Sequence, residues 1–161
     1  MDLAPKRASD SATEMVQVVL PNDANPLGFI LGGTVMHLID IAGAIACHRH
    51  TRTLLVTAAV DDLQFLHSIK VGDLIILKAH VTCAFTTSLE VQVDVFSEET
   101  LTGRRQLTSR AFLTFVAIDR NGGRVTVPPL LVETEGERRV CEEAHRRRAA
   151  RLQRKANATS T

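Results

Sequence analysis

The hydrophobic positions of the chain fall into one long run of helical character and several stretches that alternate. Residues 34 to 50, TVMHLIDIAGAIACHRH, are apolar around nearly the whole helical circumference and end in His48, Arg49 and His50. A helix that is apolar all round is expected to be buried on all sides, and basic groups suit its negative end. Its length and its Ala and Gly content argue against a strand. After it come LLVTAAVDDLQFL, DLIILKAHVTCAF, SLEVQVDVFSEE and RRQLTSRAFLTFVAID, each read as a long strand. Alternation is cleanest in SLEVQVDV, where Leu89, Val91, Val93 and Val95 face one way and Glu90, Gln92 and Asp94 the other. The links are short, with Gly72 in SIKVG, a turn near Thr86 and Gly103 in EETLTG, so the last three strands are expected to form an antiparallel meander.

The ends of the chain read differently. Residues 1 to 13 are polar, lack periodicity and are expected to be a disordered lead-in. MVQVVL reads as a short first strand, and PNDANPLG as an irregular loop. NGG at 121 to 123 closes the last long strand, VTVPPLLV is expected to run over the surface, and residues 133 to 161 have helix-forming composition with acids early and arginines late. One domain over residues 14 to 132 followed by a charged C-terminal helix is the predicted organisation, with no internal repeat. The order of short strand, buried helix and four long strands predicts α+β architecture, a sheet wrapped around the helix. Such a sheet leaves an open edge and one side of the helix uncovered, and a second copy of the chain would cover both.

Composition narrows the function classes. The 161 residues are 45% hydrophobic and 23% charged, ordinary for one globular domain. With six Phe, no Trp, no Tyr and a formal charge of +1, the chain has neither stacking platform nor overall charge for nucleic acid. The cysteines, Cys47, Cys83 and Cys141, are odd in number and far apart; this argues against a disulfide framework and fits a reducing compartment. The longest apolar run, Val35 to Cys47, is too short to span a bilayer, so no membrane partner and a cytoplasmic location are expected.

The candidate chemistry centres on Asp40, a lone carboxylate in the apolar run whose helical neighbours are Met36, His37, Gly43 and Ala44. Burial would raise its pKa and a nearby donor would lower it; either a functional or a purely geometric role fits. Gly32 and Gly33 stand where the helix begins. They could serve a turn that needs positive φ or a close packing contact, or they could let a ligand reach the N–H groups at the positive helix end. Asn25 is either a turn residue or an amide that holds water or a carbonyl. His37, His48 and His50 lack metal-ligand spacing, no metal is implied, Ser88, Ser97 and Ser109 lack the setting of a nucleophile, and Cys47 reads as packing. Acid, amide and helix N-terminus together suit attack of water on an activated acyl group such as a thioester.

PNDANPLGFILGG, HLIDIAGAIACHRH, LLVTAAVDDLQFL, IKVGD, TTSLEVQVDVFSEE and AFLTFVAID, in that order over about residues 15 to 145, resemble the acyl-CoA thioester hydrolase family of the hotdog fold, and more closely its cytosolic group that includes brain acyl-CoA hydrolase. The resemblance implies a curved antiparallel sheet around a central helix, paired into homodimers and assembled as trimers of dimers, a homohexamer. It implies an acyl-CoA substrate split into fatty acid and coenzyme A, with no cofactor beyond the coenzyme A that belongs to substrate and product. It places the catalytic roles on Asn25 and Gly32 of one subunit and Asp40 of the other, with Gly33 supporting the oxyanion. Coenzyme A contacts would fall on Thr57, Ala58 and Ala59, on Thr86, Thr87 and Ser88, and on Arg148 of HRRRAARL. Leu31, where relatives often carry Phe or His, and Ser68, where they often carry Pro, depart from the pattern and bear on chain-length preference. A non-catalytic acyl-CoA sensor on the same fold is the competing expectation, and a hydratase, which would need a histidine placed with the acid, a third.

Overall fold

Alternation of apolar and polar residues over long stretches builds one sheet with a dry side. The structure, a computed structural model describing residues 3–160, has β1 (Thr13–Val18), β2 (Leu54–Phe65), β3 (Leu74–Ala84), β4 (Ser88–Glu98) and β5 (Arg105–Ile118), with helices α1 (Ala8–Ser11), α2 (Gly32–Thr51) and α3 (Glu135–Thr159). All strands pair antiparallel in the order β1-β3-β4-β5-β2. The predicted meander of β3, β4 and β5 therefore forms the middle of the sheet. Strand β2, which follows the helix, crosses to the far edge and pairs with β5.

The inner face packs on α2, which touches every strand. Leu89, Val91, Val93 and Val95 of β4 are completely buried there, with Leu113, Phe115, Ile75 and Leu77 beside them and Val35, Ile39, Ala42, Ala46 and Cys47 of α2 opposite. Burial pushes the Cys47 thiol up, away from the reactive thiolate, as its packing role requires. Gly43 is the point of closest approach: a Cβ there would lie 3.1 Å from Val91 Cγ1 and 3.3 Å from the Phe115 ring. The helix stops where Arg52 turns into the left-handed region (φ 53°) and donates its N–H to the His48 carbonyl at 2.7 Å. The expectation of a helix dry on all sides holds for only part of its circumference, because one sheet covers only one side; Met36 remains 47% exposed.

Three further expectations change. The lead-in is docked, not disordered, from residue 6: Lys6 exchanges backbone hydrogen bonds with Pro129 and Leu131, Ser11 is buried in α1, and Arg49 reaches back to the Ala12 carbonyl at 3.1 Å. A polar segment need not bury much of itself when a neighbouring strand can pair with its backbone. The VTVPPLLV segment is only partly a surface path, since Val127 and Pro128 are buried. The Pro128 carbonyl accepts from Nε2 of His50 at 2.8 Å, and His50 is fully buried rather than solvated at the helix end. Finally, Cys83 and Cys141 form a disulfide across 58 residues of sequence, which leaves Cys47 as the odd thiol. Sequence distance concealed the pair because α3 folds back over the sheet.

That return of α3 covers the outer face. Its docked side, Cys141, Ala144, Arg147 and Arg151, recurs every three or four residues, as one helical stripe must. Cys141 meets Cys83 of β3, Arg147 pairs with buried Glu90 of β4 through two bonds at 2.9 and 3.0 Å, and Arg151 reaches Asp61 of β2 at 2.7 Å. The Arg147 guanidinium also lies 3.6 Å over the ring of Phe112 on β5.

Candidate active site

Two β-bulges in β2 set the geometry of the site. A strand turns successive side chains to opposite faces, so residues three apart share a face only if the alternation is interrupted. The interruptions lie between Thr57 and Ala59 and between Asp61 and Gln64, the second containing Asp62 at φ 56°. Thr57, Val60 and Leu63 consequently all point inward while Asp61 points outward to Arg151.

The inward residues face α2 across a cleft of about 350 Å³ lined by Met36, Ile39, Asp40, Val60, Leu63 and Leu113, among others. Its walls are mostly aliphatic. At one side the Thr57 hydroxyl donates to Asp40 Oδ1 at 2.7 Å. A short hydroxyl bond to one oxygen orients the carboxyl group. Sequence reading assigned Thr57 to coenzyme A; its pairing with Asp40, 17 residues away on another element, had no local signature.

Gly33 lines the same cleft. Neither Gly32 nor Gly33 has positive φ, and a Cβ at Gly33 would meet nothing within 4 Å, so neither backbone strain nor packing inside the protomer requires a glycine at 33. At Gly32 a Cβ would make ordinary contact with Phe65, at 3.5 Å. Among the described residues no side chain caps this helix start. Its N–H groups carry the positive end of the helix dipole into an exposed position.

Asn25 is held in the loop before α2. Its Oδ1 accepts from the N–H groups of Leu27 at 3.0 Å and Phe29 at 3.2 Å, and Gly28 makes the turn with φ 85°. With its oxygen occupied, the side chain has only its NH₂ to offer, so it can donate to a carbonyl oxygen or to water. The turn role of Asn25 is therefore observed, with the side-chain oxygen closing the loop.

One protomer does not bring these groups to a point. Asn25 is not among the residues around the Asp40 cleft. Gly32 and Asp40 are eight steps apart along α2, which is about 12 Å of helix. The coenzyme A candidates are also divided. Ala58 is the bulged residue and Ala59 the next on the β2 edge, whereas Thr86, Thr87 and Ser88 turn between β3 and β4, with Ser88 and Thr57 one strand apart across β5. Arg148 does come to that turn: its guanidinium lies 5.0 Å over Phe85, whose N–H bonds to the Ser88 carbonyl. Leu31 and Ser68 flank the helix start, Ser68 lining a second hollow with Gly32 and Phe65.

The comparisons with known proteins agree with this architecture. Residues 27–103 match the family model described as Thioesterase superfamily. A Bacillus subtilis protein described as an uncharacterized acyl-CoA thioester hydrolase is 43% identical over 119 residues, covering 74% of this chain and 69% of that protein. The human cytosolic acyl coenzyme A thioester hydrolase is 33% identical over 141 residues, and there the chain spans only 37% of the relative's length. Among solved structures, an apo-hexameric acyl-CoA thioesterase superposes with TM-score 0.89 at 40% identity, over 95% of this chain and 98% of that one. The acyl-CoA hydrolase from Staphylococcus aureus, solved with butyryl coenzyme A and coenzyme A, superposes with TM-score 0.87 at 32% identity over 96% and 94%. Helix, sheet, connectivity and sequence agree together, and the chain belongs to the thioesterase superfamily, with the acyl-CoA thioester hydrolases of the hotdog fold.

Proposed function

We propose that this protein hydrolyses acyl-CoA thioesters at a site shared by two copies of the chain, with Asp40 of one and Asn25 and the Gly32 amide of the other. The observation that carries the reading is the Thr57 hydroxyl held 2.7 Å from Asp40 at the mouth of an aliphatic cleft. Such a cleft accepts an acyl chain, and the oriented carboxylate stands where the thioester carbonyl would lie. Water attacks the carbonyl carbon as Asp40 takes its proton. The negative charge then developing on oxygen is met by the exposed N–H groups at Gly32 and Gly33 and by the free NH₂ of Asn25. Collapse of the tetrahedral species breaks the carbon–sulfur bond and releases coenzyme A as the thiol. The roughly 12 Å of helix between Gly32 and Asp40 supports a division of the two halves between chains. The open edge of β2, which has β5 as its one neighbour in the sheet, suits pairing with a second copy.

The Staphylococcus aureus enzyme supplies a parallel. Its solved structures include variants in which an asparagine, an aspartate and a threonine are each replaced by alanine, and those residues lie 15 and 17 positions apart. Asn25, Asp40 and Thr57 have the same spacing. Hexameric relatives support a trimer of dimers as the working assembly. Thr86, Thr87, Ser88 and Arg148 are read as the nucleotide end of the coenzyme A site. Arg148 is exposed and can turn from the Phe85 ring to a phosphate. Ala58 and Ala59 would border the pantetheine arm beside Thr57.

Thiol release from a panel of acyl-CoAs tests the proposal. Asp40→Ala should lower kcat by about 10² to 10⁴ with the oligomer intact, and Asn25→Ala should lower kcat more than it raises KM. Mixing the two inactive variants and allowing subunits to exchange should restore activity in hybrid dimers. Unchanged turnover in Asp40→Ala, or no recovery after demonstrated exchange, overturns the shared site.

A further inference from the structure

The Cys83–Cys141 bridge has features that a merely structural cross-link does not need. Cys83 is 1% exposed on β3, whereas Cys141 is half-buried on α3 and reachable from solvent. His145 lies one helical turn beyond Cys141, and its ring nitrogen is within 4.8 Å of both sulfurs. The ring is held edge-on to Phe85, centroids 5.0 Å apart and planes at 86°. One cysteine is partly exposed, the other shielded, and a proton-transfer group stands beside both sulfurs.

We propose that Cys83–Cys141 is a reversible thiol–disulfide exchange site, entered at Cys141 and assisted by His145, through which low-molecular-weight thiols and disulfides clamp or release α3. In the opening direction a small thiolate attacks Cys141 Sγ. A mixed disulfide forms on Cys141, the Cys83–Cys141 bond breaks, and the Cys83 thiolate leaves and takes a proton from His145. A second small thiol then attacks the mixed disulfide and carries away its partner. Two thiols have been oxidised to one disulfide and the protein disulfide has been reduced to two thiols, so electrons balance without a metal or other cofactor. Oxidation by a small disulfide runs the same steps backward, with His145 taking the thiol proton.

The clamp matters because of what else α3 holds. Beyond Cys141 the helix places Arg147 on Glu90 and Arg151 on Asp61. Asp61 lies between the two bulges of β2, the strand that aims Thr57 at Asp40. Release at Cys141 removes the covalent end of that arrangement and leaves the helix to its arginine contacts and the packing of Ala144 and His145. The chemistry of the bridge stands whether or not the chain hydrolyses thioesters.

The test uses the full-length oligomer equilibrated in glutathione buffers from fully reduced to fully oxidised, with thiols trapped by acid and alkylation and the Cys83 and Cys141 peptides quantified by mass spectrometry. The cross-linked fraction should titrate with the buffer, and any trapped glutathione should sit on Cys141. Under native conditions trypsin should cut α3 at least about tenfold faster once the bridge is reduced. His145→Gln should leave the titration midpoint unchanged while slowing both directions roughly tenfold, a separation that a structural histidine would not produce. A bridge that stays closed, or thiols that stay free, across the whole series overturns the proposal. So does glutathione trapped on Cys83, or an unchanged rate in His145→Gln. If the reduced protein retains one zinc ion per chain and Cys141→Ser loses it, the three residues form a metal site instead.

Discussion

Arg147→Met would show how strongly the outer helix is tied to the sheet. Glu90 is 1% exposed and accepts three hydrogen bonds through its carboxylate: two from Arg147, at 2.9 and 3.0 Å, and one from the Thr82 hydroxyl at 2.7 Å. Methionine keeps much of the length of the arginine stem but gives up the guanidinium over Phe112 and leaves the carboxylate with the Thr82 hydroxyl. Removing one partner of a buried ion pair costs about 3 to 5 kcal/mol, and the surviving hydroxyl places this case near the lower end, about 3 kcal/mol. For a chain of 161 residues that is a fall of about 8 °C in Tm. Scanning calorimetry at fixed protein concentration, in reducing and oxidising buffer, measures it. The double variant Glu90→Leu, Arg147→Met removes both charges and should recover to within about 1 kcal/mol of the parent, because the cost lies in the stranded carboxylate and not in the lost attraction. A single variant costing less than about 1 kcal/mol, or a double variant no better than the single, would refute the reasoning.

Thr57→Val preserves the shape of the side chain and removes the bond to Asp40; with both groups partly open to solvent, a loss of roughly tenfold in kcat without loss of stability is expected, and unchanged kinetics would show that Asp40 is oriented by something else. Gly43→Ala gains helix propensity but presses on Val91 and Phe115, which are packed and cannot yield freely; a net loss of about 1 kcal/mol is expected in denaturant titrations. Gly33→Ala, which meets nothing within 4 Å, should leave stability unharmed while lowering kcat/KM, a split that tests whether the glycine serves an approaching group. Burial lowers the pKa of His50 despite its bond to Pro128, and burial lowers that of His80 as well. The unfolded chain therefore takes up protons first, so the stability these neutral rings contribute is intact above about pH 6.5 and is lost as pH falls below it. Melting of His50→Leu against the parent from pH 7.5 to 5 should show a shallower loss in the variant.

Much of this architecture was readable because it rests on local periodicity. The alternation of Leu89, Val91, Val93 and Val95 fixes which side of β4 is dry, and the run from Val35 to Cys47 can bury itself only as a central helix. Asp40 was conspicuous for the same reason, as the polar exception in an apolar pattern. What stayed hidden was set by contacts between distant residues. TAAVDDL breaks alternation twice, but nothing in the letters says that the breaks are bulges that bring Thr57 to Asp40. Likewise Cys83 and Cys141 become neighbours where Ala144, Arg147 and Arg151 lay α3 on the sheet, and Pro128 is buried where its carbonyl meets His50. Polar character misled at the lead-in, where the Lys6 backbone finds partners at Pro129 and Leu131.

The two bulges have a consequence for recognition between chains. Strand β2 has a single neighbour in the sheet, so its irregularities disturb one ladder, whereas the same bulges in β4 would disturb two. They also give its open side an uneven outline, with donors and acceptors out of step along its length. A second copy of this strand would bring the same interruptions to such an edge, and a regular strand would not. The distortion that points Thr57 inward thus also shapes the edge that any second chain would meet.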